Sequence, residues 1–291
     1  MQIESPKKTV LVLGASGMLG NAVLRLFSQS AGYRVLGTVR STRGLNLLPS
    51  TLHEAILVGV DVESFDSLAS ALAAARPDVV VNCVGVVKQR SQADDPLVAV
   101  PINSLLPHRL ARLCSLAGAR LIHVSTDCVF SGRRGNYRES DFPDADDLYG
   151  RSKYLGEVDY PHAITLRTSI IGHELDGARS LVGWFLAQGS AVKGYTKAVF
   201  SGVPTVELAR IIRDHVLPHP ELHGLYHVSA APITKYDLLT MVAATYGKSV
   251  AIAPDASVTI DRSLNSERFQ EATGFSAAPW PELIDQMHDF A

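Results

Sequence analysis

The sequence contains few residues that could build a disulfide framework or a metal site. Among its 291 residues are three cysteines, Cys83, Cys114 and Cys128, which are widely spaced and lie in apolar segments. An odd number of separated cysteines is not typical of a disulfide scaffold, and no Cys or His pair has the spacing of zinc ligands. We therefore predict buried, reduced cysteines and no metal site.

A strong excess of charge of one sign is also missing. The chain has 27 basic and 29 acidic residues without a prominent basic cluster, so nucleic acid is not an expected partner. No apolar run approaches the roughly 20 residues of a membrane-spanning helix, and the N-terminal residues show no signal-peptide pattern. We expect a cytoplasmic protein without a membrane partner, and leave open a homodimer.

The first half of the chain shows a regular alternation of strand and helix patterns. Strands are predicted at 9–13, 33–39, 56–60, 79–84 and 120–126, and helices at 18–30, 65–75 and 103–117. Pro107 requires an early position in the third helix or a kink. Strands this apolar, separated by helices, predict a parallel sheet that is covered on both faces.

The second half has a looser pattern. Strands at 164–170 and 225–229 are predicted to extend the same sheet, and helices are predicted at 180–188, 205–216, 235–246 and 280–289. We predict an α/β fold with a Rossmann-type doubly wound parallel sheet in residues 1–170, completed by the strand near 225–229. Residues 171–291 would mainly form a smaller, interleaved substrate lobe. Ligands of such sheets bind outside the carboxyl ends of the strands.

The first strand ends in GASGMLG, which predicts a dinucleotide site. Gly14 allows a tight turn, Gly17 lets backbone N–H groups approach a pyrophosphate, and Gly20 lets the helix pack close to the sheet. Further cofactor contacts are predicted in the same loop at Ser16, Met18 and Leu19.

The end of the second strand carries the basic residue Arg40, where a site for NAD usually has a carboxylate. A basic side chain there suits the 2′-phosphate of NADP, so we predict NADPH over NADH, with NADH still possible. The third and fourth strands end in residues that could line the adenosine part of the cofactor: Asp61, Val62, Cys83, Val84 and Gly85.

Ser125 and Thr126 end the fifth strand, and we predict that their hydroxyls point into the crevice where the nicotinamide of the cofactor would lie. The helix that follows begins with Tyr149 and Lys153, four positions apart. This spacing puts the phenol and the ammonium on one helix face, over the same crevice as Thr126. A ketone that accepts hydride needs a proton donor at its oxygen. We predict that Tyr149 donates the proton, that Lys153 lowers the pKa of Tyr149 and contacts the nicotinamide ribose, and that Thr126 holds the carbonyl.

GASGMLG, STDCVFSG and YGRSK together resemble the extended short-chain dehydrogenase/reductases. More narrowly, the chain is similar to the dTDP-4-dehydrorhamnose reductases, in segments that include RPDVVVNCVG, LRTSIIG, GVPTVELA, GLYHVS and RSLNSERF. The resemblance implies reduction of a 4-keto-6-deoxy sugar nucleotide by NADPH, with Thr126, Tyr149 and Lys153 as catalytic residues and Asn103 near the cofactor. Substrate contacts are predicted at Val129, Trp184, Lys197 and Arg262.

Two departures from the family leave the substrate open. Cys128 stands where the family usually has Tyr, and VVKQRSQADDP follows the fourth strand in place of the usual charged segment. A UDP-linked N-acetylated deoxyhexulose is therefore an alternative substrate. An epimerase or dehydratase of the same superfamily is a second alternative. A non-catalytic nucleotide-binding protein, similar to the regulatory subunit of methionine adenosyltransferase, is a third.

Overall fold

The main sheet of the protein is parallel, so the loops that follow its strands all lie at the carboxyl-end edge of the sheet. The computed structural model describes residues 7–87 and 94–291. Seven of the described strands form this sheet, in the order β10-β6-β5-β4-β1-β2-β3. Their bounds are β1 Lys8–Leu13, β2 Tyr33–Val39, β3 Ile56–Val58, β4 Val79–Asn82, β5 Arg120–Thr126, β6 Ala163–Thr168 and β10 Gly224–His227.

The order of the strands shows where a ligand crevice would lie. The chain runs from β1 outward through β2 and β3, then returns to the other side of β1 through β4, β5, β6 and β10. The direction reverses between β1 and β4, which pair in parallel from Val10↔Val79 to Leu13↔Asn82. The predicted doubly wound sheet is confirmed, and its crevice opens where the glycine loop follows β1.

Two apolar clusters cover the sheet. One contains Val10, Val12 and Phe27, and the other, on the opposite face, contains Leu11, Leu13 and Leu110. Successive side chains of a strand point to opposite faces, so the continuous apolar run of β1 fills both clusters. This two-sided burial fixes β1 at the centre of the fold.

The helices match most of the predicted ranges. Pro107 does not begin a helix, because the helical path runs without a break from α4 through a π-helical segment, Val100–Leu105, into α5. The irregularity that this proline requires is therefore the π-helical segment that precedes it. The helices are α1 Met18–Ser28, α2 Thr42–Asn46, α3 Phe65–Ala75, α4 Pro96–Ala99, α5 Leu106–Ala117, α6 Leu148–Leu155, α7 Leu181–Leu186, α8 Thr205–Ile211, α9 Lys235–Thr245, α10 Glu267–Thr273 and α11 Trp280–Asp289.

The second half contains strands that the sequence pattern did not predict. β8 (Val192–Phe200) pairs with β11 (Ile233–Thr234) and with β12 (Ile252–Asp261), while β7 (Ile170–Ile171) pairs with β9 (Val203–Pro204). β12 is an edge strand that is exposed along most of its length and contains Pro254. It therefore lacks the apolar alternation by which strands are predicted.

The described part of the chain holds no group of three or more His, Cys, Asp or Glu that could bind a metal ion. Its three cysteines form no disulfide bonds: Cys114 is buried, and Cys83 and Cys128 are partly exposed. No helix within residues 7–87 and 94–291 has the length and apolar character to cross a membrane.

Candidate active site

The glycine loop has the close backbone approaches that a dinucleotide site needs. Gly14 has φ +79°, and its carbonyl oxygen accepts a hydrogen bond from Gly17 N at 2.9 Å. A Cβ on Gly20 would lie 2.1 Å from that same oxygen, so only glycine lets α1 start this close to β1. Gly17 is exposed at the start of α1. The loop therefore fits a pyrophosphate held by backbone N–H groups.

The other predicted cofactor residues lie at neighbouring strand ends. Arg40 and Asp61 are exposed, and one carboxylate oxygen of Asp61 accepts a hydrogen bond from Glu63 N at 3.0 Å. Cys83 is half-buried, and burial raises the pKa of its thiol to about 12. A Cβ on Gly14 would lie 3.0 Å from a methyl group of Val84, which keeps the β4 loop in contact with the glycine loop. Val62 and Gly85 are partly exposed beside them.

Helix α6 begins at a capping aspartate, and two glycines let it pack closely on the segments next to it. Asp147 caps the helix by accepting a hydrogen bond from Gly150 N at 2.7 Å. A Cβ on Gly150 would lie 2.2 Å from the backbone oxygen of Cys128, and one on Gly156 would lie 1.9 Å from that of Asn103. The glycines of YGRSKYLG therefore allow the close packing that brings the Tyr149 and Lys153 helix to Thr126.

The Thr126 hydroxyl is close enough to the phenol of Tyr149 to influence its pKa. Burial raises the pKa of Tyr149, and the neighbouring Cys128 and Asp127 raise it further, while the nearby Thr126 side chain lowers it. Thr126 Oγ1 also donates to Asp127 Oδ1 at 3.1 Å. Tyr149 is thus a protonated phenol at neutral pH.

Lys153 does not act on the phenol in the way the sequence predicted. Its ammonium donates to the backbone oxygen of Val124 at 2.8 Å, and the pKa of Tyr149 is raised instead of lowered. The physical reason is burial, which disfavours the phenolate and outweighs a lysine that is bonded elsewhere. Burial also lowers the pKa of Lys153 to about 8, although the Glu157 carboxylate opposes this shift.

A buried ion pair below the site was missed by the sequence analysis. Arg167 Nη2 donates to Glu157 Oε2 at 2.5 Å, with side chains that are 1% and 9% exposed. Glu157 also accepts a hydrogen bond from Ser125 Oγ at 2.7 Å, and Arg167 Nη1 contacts His227 Nε2 at 2.9 Å. The sequence feature that could have indicated this pair is an arginine inside the apolar strand LRTSI, because a buried charge requires a partner.

Several predicted site residues have side chains that are engaged inside the protein. Ser125 is bonded to Glu157, so its hydroxyl does not point into the crevice as predicted. Asn103 bonds both backbone groups of Val86 and the hydroxyl of Ser152, which ties the β4 loop to α6. Leu19 and Val129 are buried in apolar clusters, and Met18 packs beside α8 and α11. Only the backbone of Leu19 and Val129 could contact a ligand.

The predicted substrate residues of the second lobe differ in whether they contact the candidate site. Arg262 reaches the loop that follows β5, where its Nε donates to the backbone oxygen of Phe130 at 2.8 Å and its Nη1 lies 3.8 Å from Cys128 Sγ. Lys197 is exposed on β8, and Trp184 is 37% exposed on α7. The structure therefore brings Arg262 to the candidate site, and gives no contact of Trp184 or Lys197 with Thr126, Tyr149 or Lys153. Residues 88–93 of the divergent β4 loop lie outside the described residues.

Comparison with known proteins agrees with this arrangement. The family described as RmlD substrate binding domain matches residues 8–289. Methionine adenosyltransferase 2 subunit beta of Danio rerio is 30% identical over 83% of this chain and 75% of its own length. A probable low-salt glycan biosynthesis reductase of Haloferax volcanii is 29% identical over 86% of this chain and 84% of its own length.

A solved structure shows the same fold over the whole chain. The dTDP-4-dehydrorhamnose reductase of Bacillus anthracis in complex with NADP superposes with a TM-score of 0.81 and 19% identity, covering 99% of this chain and 100% of that chain. The chain therefore belongs to the RmlD substrate binding domain family, and its resemblance to the dTDP-4-dehydrorhamnose reductases, which are NAD(P)-dependent oxidoreductases of sugar nucleotides, is confirmed.

Proposed function

We propose that the protein is an NADPH-dependent reductase of a 4-keto-6-deoxy sugar nucleotide, similar to dTDP-4-dehydrorhamnose reductase, in the biosynthesis of a deoxysugar or surface polysaccharide. The observation that carries this proposal is the grouping of Thr126, at the carboxyl end of β5, with Tyr149 and Lys153 of α6, whose ammonium donates to the backbone oxygen of Val124 in β5 at 2.8 Å. A reductase needs an acid at the carbonyl oxygen at neutral pH, and a phenol is protonated at that pH and can donate its proton when negative charge develops on the oxygen.

The glycine loop would hold the pyrophosphate of the cofactor, and Arg40 would bind its 2′-phosphate. Bound NADPH would supply the hydride. Thr126 would orient the substrate carbonyl, Tyr149 would donate the proton to its oxygen, and Lys153 would keep a positive charge below the phenol. In this proposal residues 1–170 bind the cofactor and residues 171–291 mainly bind the sugar nucleotide, with Arg262 next to its phosphates.

NADPH is favoured over NADH because the segment after β2 reads RSTRGLN and has no carboxylate for the ribose hydroxyls. The nucleotide carrier is less constrained. At position 128, next to Arg262, this chain has a cysteine, whose side chain is smaller than the tyrosine that is usual in the family. A UDP-linked N-acetyl-deoxyhexulose therefore remains an alternative substrate, and an NAD-dependent epimerization an alternative reaction.

A non-catalytic regulatory subunit is a second candidate function, since a relative with 30% identity is named as a subunit of methionine adenosyltransferase. The intact set of Thr126, Tyr149 and Lys153 favours catalysis over this reading. NADPH consumption against a panel of dTDP- and UDP-linked 4-keto-6-deoxy sugars separates the two.

The enzyme should consume NADPH with at least one sugar of the panel, and Tyr149→Phe should lose this activity by roughly 100-fold or more. Tyr154→Phe, on the exposed side of the same helix, is the matched control and should keep full activity. Binding of NADPH should be retained in both variants. Absence of turnover by the wild type with every sugar, together with tight NADPH binding, would support the regulatory subunit.

A further inference from the structure

A second arginine lies next to the predicted site of the adenosine ribose. Arg43 belongs to α2, the short helix that follows Arg40 at the end of β2. A Cβ on its neighbour Gly44 would lie 3.3 Å from Ser16 Oγ, so this helix packs directly on the glycine loop. The side chain of Arg43 is 81% exposed. Its charge is therefore available at the edge of the cofactor crevice.

Arg43 is paired with a carboxylate from the second half of the chain. Its Nη2 atom donates to Asp176 Oδ2 at 2.8 Å, across 133 positions of sequence. Asp176 comes from the loop between β7 and α7, and its side chain is 54% exposed. This ion pair connects the cofactor half to the substrate half beside the glycine loop.

The loop that carries Asp176 is fixed at both of its ends. Glu174 Oε2 accepts hydrogen bonds from Arg179 N and Ser180 N, each at 2.7 Å, which closes residues 174–180 into a compact turn. Leu175 packs against the main apolar cluster, and Gly177 adopts φ +93° next to Asp176. The backbone position of Asp176 is thus set by the turn and does not depend on Arg43.

We propose that Arg43 is a second ligand of the 2′-phosphate of NADPH and that Asp176 competes with this phosphate for its guanidinium. A phosphate with a charge near −2 offers three acceptor oxygens, so a guanidinium prefers it to a carboxylate that is half exposed to water. NADH has no group that could replace Asp176. Binding of NADPH therefore breaks the ion pair between the two halves, and binding of NADH leaves it intact.

This inference rests on the proposed use of NADPH and adds a residue that sets how strongly the protein distinguishes the two cofactors. The exposed Arg43–Asp176 pair is weak, as surface ion pairs generally are. Its loss therefore costs little, while the contact of Arg43 with phosphate contributes more. Asp176 would reduce the preference for NADPH, and Arg43 would increase it.

The test is the dissociation constant of each cofactor, measured by titration calorimetry without any sugar substrate. Asp176→Asn should bind NADPH about two- to fivefold more tightly and NADH as the wild type does. Arg43→Gln should bind NADPH roughly tenfold more weakly or worse, again with NADH unchanged. In the double variant the gain from Asp176→Asn should disappear, because its benefit acts only through Arg43.

Two controls separate local from general charge effects. Asp159→Asn and Arg34→Gln make the same charge changes at exposed positions near the opposite ends of the strands, and should leave both constants unchanged. The inference is overturned if Asp176→Asn changes neither constant or changes both equally, or if its gain persists without Arg43. If the wild type binds NADPH no better than NADH, the proposed cofactor preference fails together with the inference. If it prefers NADPH and Arg43→Gln has no effect, only the inference fails.

Discussion

Lys153 donates a hydrogen bond to the backbone oxygen of Val124, at 2.8 Å, from a side chain that is 6% exposed. The buried ammonium is thereby fixed at the end of β5 next to Thr126, and the Glu157 carboxylate favours its charged form. In the function that we propose, the lysine would supply a positive charge beside Tyr149, while the pKa of the Tyr149 phenol is set mainly by its own burial.

This arrangement predicts that activity falls at alkaline pH. Burial lowers the pKa of Lys153 to about 8, so kcat/KM should decrease as pH rises through this value and the ammonium loses its proton. Lys153→Arg keeps the charge at all accessible pH values and should remove this decline, at a lower overall rate. The measurement is kcat/KM from pH 6 to pH 10 for both proteins. A wild-type profile that stays flat through pH 9 would contradict the role of the ammonium.

The lowered pKa of Lys153 also affects the stability of the fold, which should rise with pH where activity is expected to fall. Folding disfavours the Lys153 ammonium, whose pKa is about 8 in the fold and 10.5 in the unfolded chain. This penalty is present below pH 8 and disappears between pH 8 and pH 10.5, as the unfolded chain loses the same proton. The stability advantage of Lys153→Met over wild type should therefore shrink over that window in urea unfolding. An advantage that does not depend on pH would contradict the shift.

Gly20→Ala tests the contact between α1 and the glycine loop. Alanine is normally the better helix residue, but here its Cβ would lie 2.1 Å from Gly14 O. We expect a loss of about 1–3 kcal/mol in unfolding free energy, with weaker NADPH binding. Gly32→Ala is the matched control, because no atom lies within 4 Å of the added Cβ. Equal stability of the two variants would show that α1 can move away from the loop.

Glu157→Gln should destabilise the fold strongly, because it leaves Arg167 as an uncompensated buried charge. Loss of one partner of a buried ion pair costs about 3–5 kcal/mol. Glu267→Gln breaks an ion pair on the surface, in which the side chains of Arg138 and Glu267 are 57% and 58% exposed. This substitution should lower the free energy of unfolding by less than about 1 kcal/mol. Urea unfolding of both variants measures the difference. Similar costs for the two substitutions would argue against the buried network.

The sequence predicted those parts of the fold that depend on local pattern. The central strands are apolar on both faces, and GASGMLG lies directly between a strand and a helix, so both could be recognised. Strand β12 could not, since it is an exposed edge strand without alternation.

In the candidate site, spacing predicted that Tyr149 and Lys153 share a helix face. The bond of Lys153 to Val124, the bond of Ser125 to Glu157 and the burial of Val129 depend on tertiary packing. Packing between distant segments leaves no periodic signal in the chain, so these features appeared only in the structure.

The central claim is that this protein reduces a sugar ketone with NADPH, with Tyr149 as the proton donor. The most direct measurement uses NADPH in which both hydrogens of the reactive nicotinamide carbon are deuterium, incubated with a dTDP-linked 4-keto-6-deoxy sugar and the protein. Product analysis by NMR should find deuterium on carbon 4 of the sugar for the wild type and no product for Tyr149→Phe. Product formed without deuterium at that carbon, or formed equally well by Tyr149→Phe, would contradict the account.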